Sequence, residues 1–260
     1  MQTVLFHQTI FGPISSRRLG VSLGVNLLPN DGKICSFDCV YCEAGYNAQG
    51  QGTTGVPTRK QVKTRLRDKL RAMTEAGEAL DTITFSGNGE PTLHPEFPQI
   101  VRDTLSLRDQ YYPAAKVSVL SNASMLHLPK VVEALKSVDN NILKLDSAIS
   151  PTLRRINRPV STRVQPEGLI EDLKAFGGQC VVQTMMLRGS HDGSKFDNTT
   201  DEEIAALAEA YRVIRPRLVM VYAADRATPE EDVEKIGLDE LRAIGQKLER
   251  DSGIPVQVNA

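Results

Sequence analysis

Two hydrophobic spacings alternate along the chain from residue 58 onward. In one, apolar residues recur every three or four positions, the mark of a helix with one buried face. Val62, Leu66, Leu70 and Met73 follow this rule between a Thr58…Gln61 capping box and Gly77. So do Phe97, Ile100, Val101 and Leu105, then Leu128, Val131, Val132 and Leu135, then Leu169, Ile170, Leu173 and Phe176 before two glycines. A second box, Thr200…Glu203, opens a stripe of Ile204, Leu207, Ala208 and Tyr211, and a last stripe holds Leu238, Leu241, Ile244 and Leu248.

In the other spacing, short runs rich in β-branched residues are apolar on both faces. They are Leu23–Leu28, Thr82–Ser86, Lys116–Leu120, Ile142–Leu145, Val181–Met186 and Leu218–Tyr222, with a terminal Val256–Val258. Strands buried on both faces, each followed by an amphipathic helix, predict a parallel sheet covered by helices. About six βα units fit, whereas a closed eight-unit barrel takes about 250 residues. The expectation is an α/β fold, a partial (β/α)6 TIM-like barrel with parallel strands and outer helices. It forms one domain over 1–260, with 1–22 as an N-terminal extension and 29–57 as a loop region.

In such folds chemistry collects at the carboxyl ends of the strands. The polar residues of this chain fall there. Ser86-Gly87-Asn88-Gly89-Glu90 follows the second run, Ser121-Asn122 the third, Asp146 the fourth and Asp225-Arg226 the sixth, while Gln183 and Thr184 lie near the end of the fifth.

Composition adds limits. The 260 residues are 40% hydrophobic and 24% charged, with 31 Lys and Arg against 32 Asp and Glu. That balance excludes a disordered polyelectrolyte and opposes a dedicated nucleic-acid binder. No run reaches the ~20 apolar residues of a membrane span, and the first residues lack the pattern of a signal peptide, so a cytoplasmic location is expected.

Cysteine changes the picture most. Three of the four, Cys35, Cys39 and Cys42, fall within eight residues, in a stretch where glycines are dense. Disulfide frameworks spread their cysteines, so this spacing points to a metal. Structural zinc takes four closed ligands. Here Cys180 sits on a buried strand as a core residue, and neither His7 nor His94 has ligand spacing to the trio. A four-iron cluster on three thiolates, one iron left open, fits better.

The motif C-x3-C-x-aromatic-C, with Tyr41 in the aromatic slot, resembles the signature of the radical S-adenosylmethionine (SAM) superfamily. The resemblance implies one [4Fe-4S] cluster on Cys35, Cys39 and Cys42, with SAM on its open iron. Reductive cleavage of SAM would then give a 5′-deoxyadenosyl radical that abstracts hydrogen from substrate. Gly87, Asn88, Gly89 and Glu90 are similar to the family's Gly-Gly-Glu turn that holds the methionyl amino group, with Asn88 in place of the first glycine. The resemblance also assigns Ser121, Asn122, Asp146, Tyr222 and Tyr41 to cofactor binding. Lys144 and Gln183 are candidates for the catalytic centre by position.

The stretches Phe11–Gly24, Ser86–Leu93 and Ile156-Asn157-Arg158-Pro159 resemble compact prokaryotic iron–sulfur oxidoreductases similar to the wyosine-forming tRNA enzymes. Those enzymes carry further N-terminal cysteines, and no cysteine precedes Cys35 here, so a second cluster is not expected. The implied partners are an electron donor such as flavodoxin or ferredoxin and a substrate that is a tRNA base or a small molecule. Activation of a partner enzyme through a glycyl radical is an alternative, and a non-catalytic zinc-binding module a distant one. Basic residues at 59, 60, 63, 65, 67, 69 and 71, and at 154, 155, 158 and 163, could meet phosphates or form solvated faces. Arg17 and Arg18 could touch an anionic group. The polar stretch His191–Asn198 reads as a substrate loop or a connection over the barrel mouth.

Overall fold

The computed structural model describes residues 4–16, 19–224, 228–230 and 232–259. The expectations placed on Arg17, Arg18, Asp225 and Arg226 fall outside these residues.

The apolar runs become the strands of one sheet. It begins with a hairpin of β1 (Ile10–Ser16) and β2 (Gly20–Val25) and continues through β3 (Thr82–Phe85), β4 (Lys116–Ser121), β5 (Asn140–Lys144) and β6 (Val181–Met186). Two more parallel strands, Leu218–Ala223 and Val256–Asn259, complete it; in chain order they are β9 and β11. The sheet order is β1-β2-β3-β4-β5-β6-β9-β11, parallel at every pairing except the first. This mostly parallel sheet curls into a half-barrel, so the expected partial barrel forms. The segment read as an N-terminal extension contributes β1, whose alternation is masked by Gly12 and Pro13.

The helices α1 (Arg59–Glu75), α2 (Phe97–Tyr111), α3 (Pro129–Ser137), α4 (Ser150–Asn157), α5 (Pro166–Lys174), α6 (Asp201–Ile214) and α7 (Leu238–Ser252) connect the strands. The apolar stripe of α1 is buried as its spacing requires, and its capping box closes, Thr58 N donating to Gln61 Oε1 at 2.8 Å. The box at α6 closes only on the Thr200 side, because the Glu203 carboxylate accepts from Ser147 instead, at 2.7 Å. The short helix α4 was not foreseen, since only Leu153 and Ile156 mark its buried face.

The stretch after β6 is a hairpin rather than a loop. Its strands β7 (Arg188–His191) and β8 (Ser194–Asp197) pair antiparallel, and β10 (Val233–Glu234) adds to β7. No helix among the described residues is long and apolar enough to cross a membrane. Cys180 is fully buried in the core, with burial pushing its thiol up to about 11.

Candidate functional site

The loop after β2 carries the three cysteines across the carboxyl ends of the strands, and two segments hold it there. From one side comes the turn after β3. Ile34 N donates to Asn88 O, and Glu90 N donates to Ile34 O, both at 3.1 Å. Gly89, at φ +135°, lies so close that an added Cβ would stand 1.9 Å from Ile34 O. Only glycine permits this approach.

From the other side comes the end of α4. Val40 N donates to Ile156 O and Asp38 N to Asn157 O, each at 3.0 Å, and Val160 N donates to Ser36 O at 2.9 Å. The Ile156–Pro159 motif is therefore a backbone clamp on the cysteine loop, with Phe37 and Pro159 bridged as in an antiparallel sheet.

Two of the thiols receive N–H donors. Phe37 N and Asn122 Nδ2 approach Cys35 Sγ at 3.5 and 3.6 Å, and Asn157 Nδ2 approaches Cys39 Sγ at 3.5 Å. Burial pushes the Cys35 thiol well up and the Cys39 thiol up to about 11. Beside them lies Lys33, 2% exposed, which donates to Gly45 O at 2.7 Å and pairs with Asp38 at 3.4 Å. Burial opposes its charge, yet the neighbouring Cys42, Cys35 and Cys39 hold its pKa above the ordinary lysine value.

Three thiols, two of them with N–H donors, and a buried cation suit a group that carries negative charge on sulfur. Among the described residues no three His, Cys, Asp or Glu side chains close around a point one metal ion could occupy. A multi-iron cluster spreads its thiolates over separate metals, and the donor set fits it. His94 has both ring nitrogens engaged, by Pro57 O at 2.7 Å and Glu96 N at 3.1 Å, and is a structural residue.

Glu90 is buried and braces the next wall. Its carboxylate accepts from Thr92 N, from Ser121 Oγ at 2.8 Å and from Asn122 N at 2.7 Å. Burial raises its pKa against these hydrogen bonds. Asn122 in turn donates to Ser36 Oγ at 2.9 Å, so Glu90, Ser121, Asn122 and the cysteine loop form one connected unit. Asn88 uses its side chain inward, donating to Pro29 O at 2.8 Å and to Phe6 O at 3.0 Å, while Phe6 N donates to its Oδ1. The Asn88 side chain thus pins two loops to the turn. Gly87 passes so close to Asn26 that a Cβ would lie 2.4 Å from its Oδ1.

A second polar network lies at the ends of β5 and β9. Tyr41 donates its hydroxyl proton to Asp146 and accepts from Lys144 Nζ at 2.7 Å. Lys144 also donates to Tyr222 OH at 3.3 Å, pairs with Asp146 at 3.5 Å and lies 5.0 Å from the Tyr41 ring centre. Asp146, with no exposed surface, further accepts from Asn157 Nδ2 at 2.6 Å and Met185 N at 2.9 Å. Burial, then the charge of Asp146, raises the Tyr41 pKa. Burial acts most strongly on Lys144 and opposes its charge, but Asp146, Tyr222 and Cys39 together hold its pKa above the ordinary lysine value.

Four residues singled out separately in the sequence, Tyr41, Lys144, Asp146 and Tyr222, thus meet in one cluster that Asn157 ties to Cys39. Gln183 is buried on β6 and in register with Lys144, but its side chain makes no hydrogen bond among the described residues. Asn157 Oδ1 is buried and unpartnered among them, a polar atom that a bound group could satisfy.

Lys33, Asn157 and Asn26 were not singled out for roles. Lys33 lies two positions before Cys35 with no periodicity to mark it. Asn157 stood only inside a motif of resemblance. Asn26, fully buried, accepts from Leu28 N and Asn88 N through a side chain that a strand pattern hides.

Residues 30–195 match the family profile of the Radical SAM superfamily. A UPF0026 protein of Helicobacter pylori is 30% identical over 187 residues, 71% of this chain. The chain spans 58% of the length of that relative. Among solved structures, a radical SAM methyltransferase from Sphaerobacter thermophilus superposes with a TM-score of 0.68 at 18% identity, covering 92% of this chain and 65% of that one. A structure of TYW1 with a lysine-pyruvate adduct bound gives 0.60 at 15% identity, covering 89% and 74%.

Proposed function

The chain belongs to the radical SAM superfamily, and from that premise we propose that it is an enzyme holding one [4Fe-4S] cluster on Cys35, Cys39 and Cys42 and acting on a small polar molecule. The observation that carries the reading is the pair of clamps that hold the cysteine loop against both polar networks at the barrel mouth. When bound, the cluster and SAM would supply one-electron reductive chemistry at the sulfonium carbon–sulfur bond.

The residues of this chain bind and position. Gly87, Asn88, Gly89 and Glu90, with Ser121 and Asn122, form the wall next to Cys35 that would receive the methionyl end of SAM. Tyr41, Asp146 and Tyr222 form the wall next to Cys39, with Lys144 as its cation. Lys33 offsets negative charge under the loop, and the N–H donors at sulfur favour thiolate over thiol.

A small substrate is favoured over RNA because four of the seven basic residues on α1 already engage carboxylates. Arg59 and Lys63 pair with Asp103 at 2.7 and 3.0 Å, Arg67 with Asp68 at 2.9 Å, and Arg71 with Glu75 at 3.9 Å.

The test is anaerobic reconstitution with iron and sulfide, followed by reduction with dithionite in the presence of SAM. Four irons per chain and 5′-deoxyadenosine formation are expected. A chain that takes up only zinc and forms no 5′-deoxyadenosine would overturn the proposal.

A further inference from the structure

The inner face of the half-barrel carries its own set of side chains. Successive side chains on a strand point to opposite faces, and residues paired in register share a face. Val119, Leu143, Val182, Val219 and Val221 belong to the main core under the helices, so their sequence neighbours face inward. There Ile142, Val181 and Met220 form a separate apolar cluster, with Leu120 and Leu218 packed against it. One step toward the carboxyl ends, Lys144, Gln183 and Met220 stand side by side on β5, β6 and β9. Gln257 continues the row on β11, whose Val256 and Val258 pack outward against the main core.

Polar side chains on this face have partners, with Gln183 the exception among them. Ser22 and Thr84 share a hydrogen bond at 2.8 Å, Thr82 and Ser118 one at 3.0 Å, and Asn140 donates to Ser118 Oγ at 3.0 Å. Lys144 is held by Asp146 and by the hydroxyls of Tyr41 and Tyr222. Gln257 donates to Asn259 Oδ1 at 3.1 Å. Gln183 is only 6% exposed, yet its amide has no hydrogen-bond partner among the described residues. Buried polar groups are satisfied by protein, water or ligand, and the surroundings of this amide define the ligand that suits it.

A side-chain amide offers an acceptor oxygen and an N–H donor pair. Its complement is an edge that carries an N–H beside a C=O. The row holds no unmatched charge, because the Lys144 cation is paired with Asp146 at 3.5 Å. A charged ligand would find nothing there to offset its desolvation. Met220, in register beside Gln183, supplies a soft apolar surface of the kind that favours a flat ring. We propose that Gln183 is the specificity-determining residue of the inner face, which takes an uncharged ring compound with an amide-type edge (a lactam, imide or ureide) seated over Met220. The inference narrows the small polar substrate of the functional reading above and rests on it. An apolar floor with one or two placed polar groups is how small-molecule sites fix orientation.

The probes are uracil, its N,N′-dimethyl derivative and orotate, titrated by ligand-observed NMR against the full chain, both cluster-free and reconstituted with SAM present. Uracil keeps the amide edges, the dimethyl form loses the N–H groups, and orotate adds a carboxylate to the same ring. Uracil is expected to bind, and the other two to bind about tenfold more weakly or less, since a buried partner left unpaired is costly. Gln183→Met, which keeps the length and removes the amide, should lower uracil affinity by a similar factor. Its melting temperature should hold or rise, because no partner inside the chain is lost. Uracil that fails to bind the parent in either form, or that binds Gln183→Met equally well, would overturn the proposal. So would dimethyluracil or orotate binding as tightly as uracil. A variant that melts well below the parent with uracil affinity unchanged would make Gln183 a structural residue, and one that loses SAM affinity instead would assign it to the cofactor; either result ends the proposal. If the parent forms no 5′-deoxyadenosine even with dithionite, the functional assignment fails on its own, and the uracil titration on the cluster-free chain still decides whether Gln183 reads an amide edge.

Discussion

The mouth of the half-barrel and its outer helical layer both carry charge, but they are built on opposite principles. At the mouth, polar groups are buried and several of their partners are far away in sequence. Tyr41 reaches Asp146 across 105 positions, and Asn157 reaches Cys39 across 118. On the outside, Arg67 meets the adjacent Asp68, and Arg71 meets Glu75 one helical turn on, with 46% or more of each side chain in water. Exposed pairs of this kind are worth about 0–1 kcal/mol. Buried charges are costly unless paired and hydrogen-bonded, so a fold that keeps them gathers many partners around each. Long-range buried polarity therefore marks the functional region better than a run of charge does.

The comparison breaks most visibly at the thiols. Alanine at Cys35, Cys39 or Cys42 should abolish iron binding and 5′-deoxyadenosine formation, while the outer layer keeps its helical circular dichroism. Retained iron in all three single variants would mean that the ligands lie elsewhere.

Removing Asp146 tests the same region without touching a ligand. Asp146→Ala leaves the Lys144 ammonium buried beside two tyrosines and leaves Asn157 and Met185 N–H groups without their acceptor. Breaking a buried pair in this way costs roughly 3–5 kcal/mol. For a chain of this length the melting temperature should drop by roughly 10 °C. Asp146→Asn, which keeps the shape, should recover part of that loss. If Asp146→Ala melts with the parent protein, the network at the mouth is not the buried, interdependent unit described here.

Much of the fold was legible because periodicity is a local property. The helix stripes, the parallel strands and the buried Cys180 all follow from spacing within windows of a few residues. What spacing could not show were elements too short or too irregular to repeat: β1 with its Gly12-Pro13, α4 with two buried apolar residues, and the β7–β8 hairpin. The site divides in the same way. The three cysteines and the glycine turn are contiguous motifs and were readable, whereas Lys33, Asn26 and Asn157 draw their roles from neighbours that only folding supplies. Even Glu203 shows the limit. A local capping box was legible, but the carboxylate went to a tertiary partner, Ser147.

Gly89 offers a test of moderate size. Alanine there must adopt φ near +135° and place its Cβ against Ile34 O. Backbone strain of this type costs of order 1–3 kcal/mol, and relieving the clash would move the residue that precedes Cys35. Gly89→Ala should therefore lower both the urea midpoint and the iron bound per chain. Gly77→Ala is the control. Its φ of +67° imposes strain, but nothing lies within 4 Å of the added carbon, so stability alone should fall. Equal iron loading in the two variants would separate the turn from the cysteine loop.

The smallest effect belongs to the outer layer. Asp103 binds Arg59 through Nε at 2.7 Å and through Nη2 at 3.1 Å, and Lys63 at 3.0 Å, tying the start of α1 to α2. The hydrogen bond from Arg59 leads in lowering its pKa, with Lys63 adding to it against partial burial. A carboxylate with a depressed folded-state pKa contributes stability above its unfolded pKa, ~3.9, and loses that contribution as pH falls through the folded value. Asp103→Asn should therefore cost about 1 kcal/mol or less near neutrality. The difference from the parent should vanish in strong acid and shrink in molar salt, where exposed charges are screened. Cluster loading should not change at any pH where the chain is folded. A loss of iron in this variant would show that the outer layer and the mouth are coupled, and would remove the contrast between them.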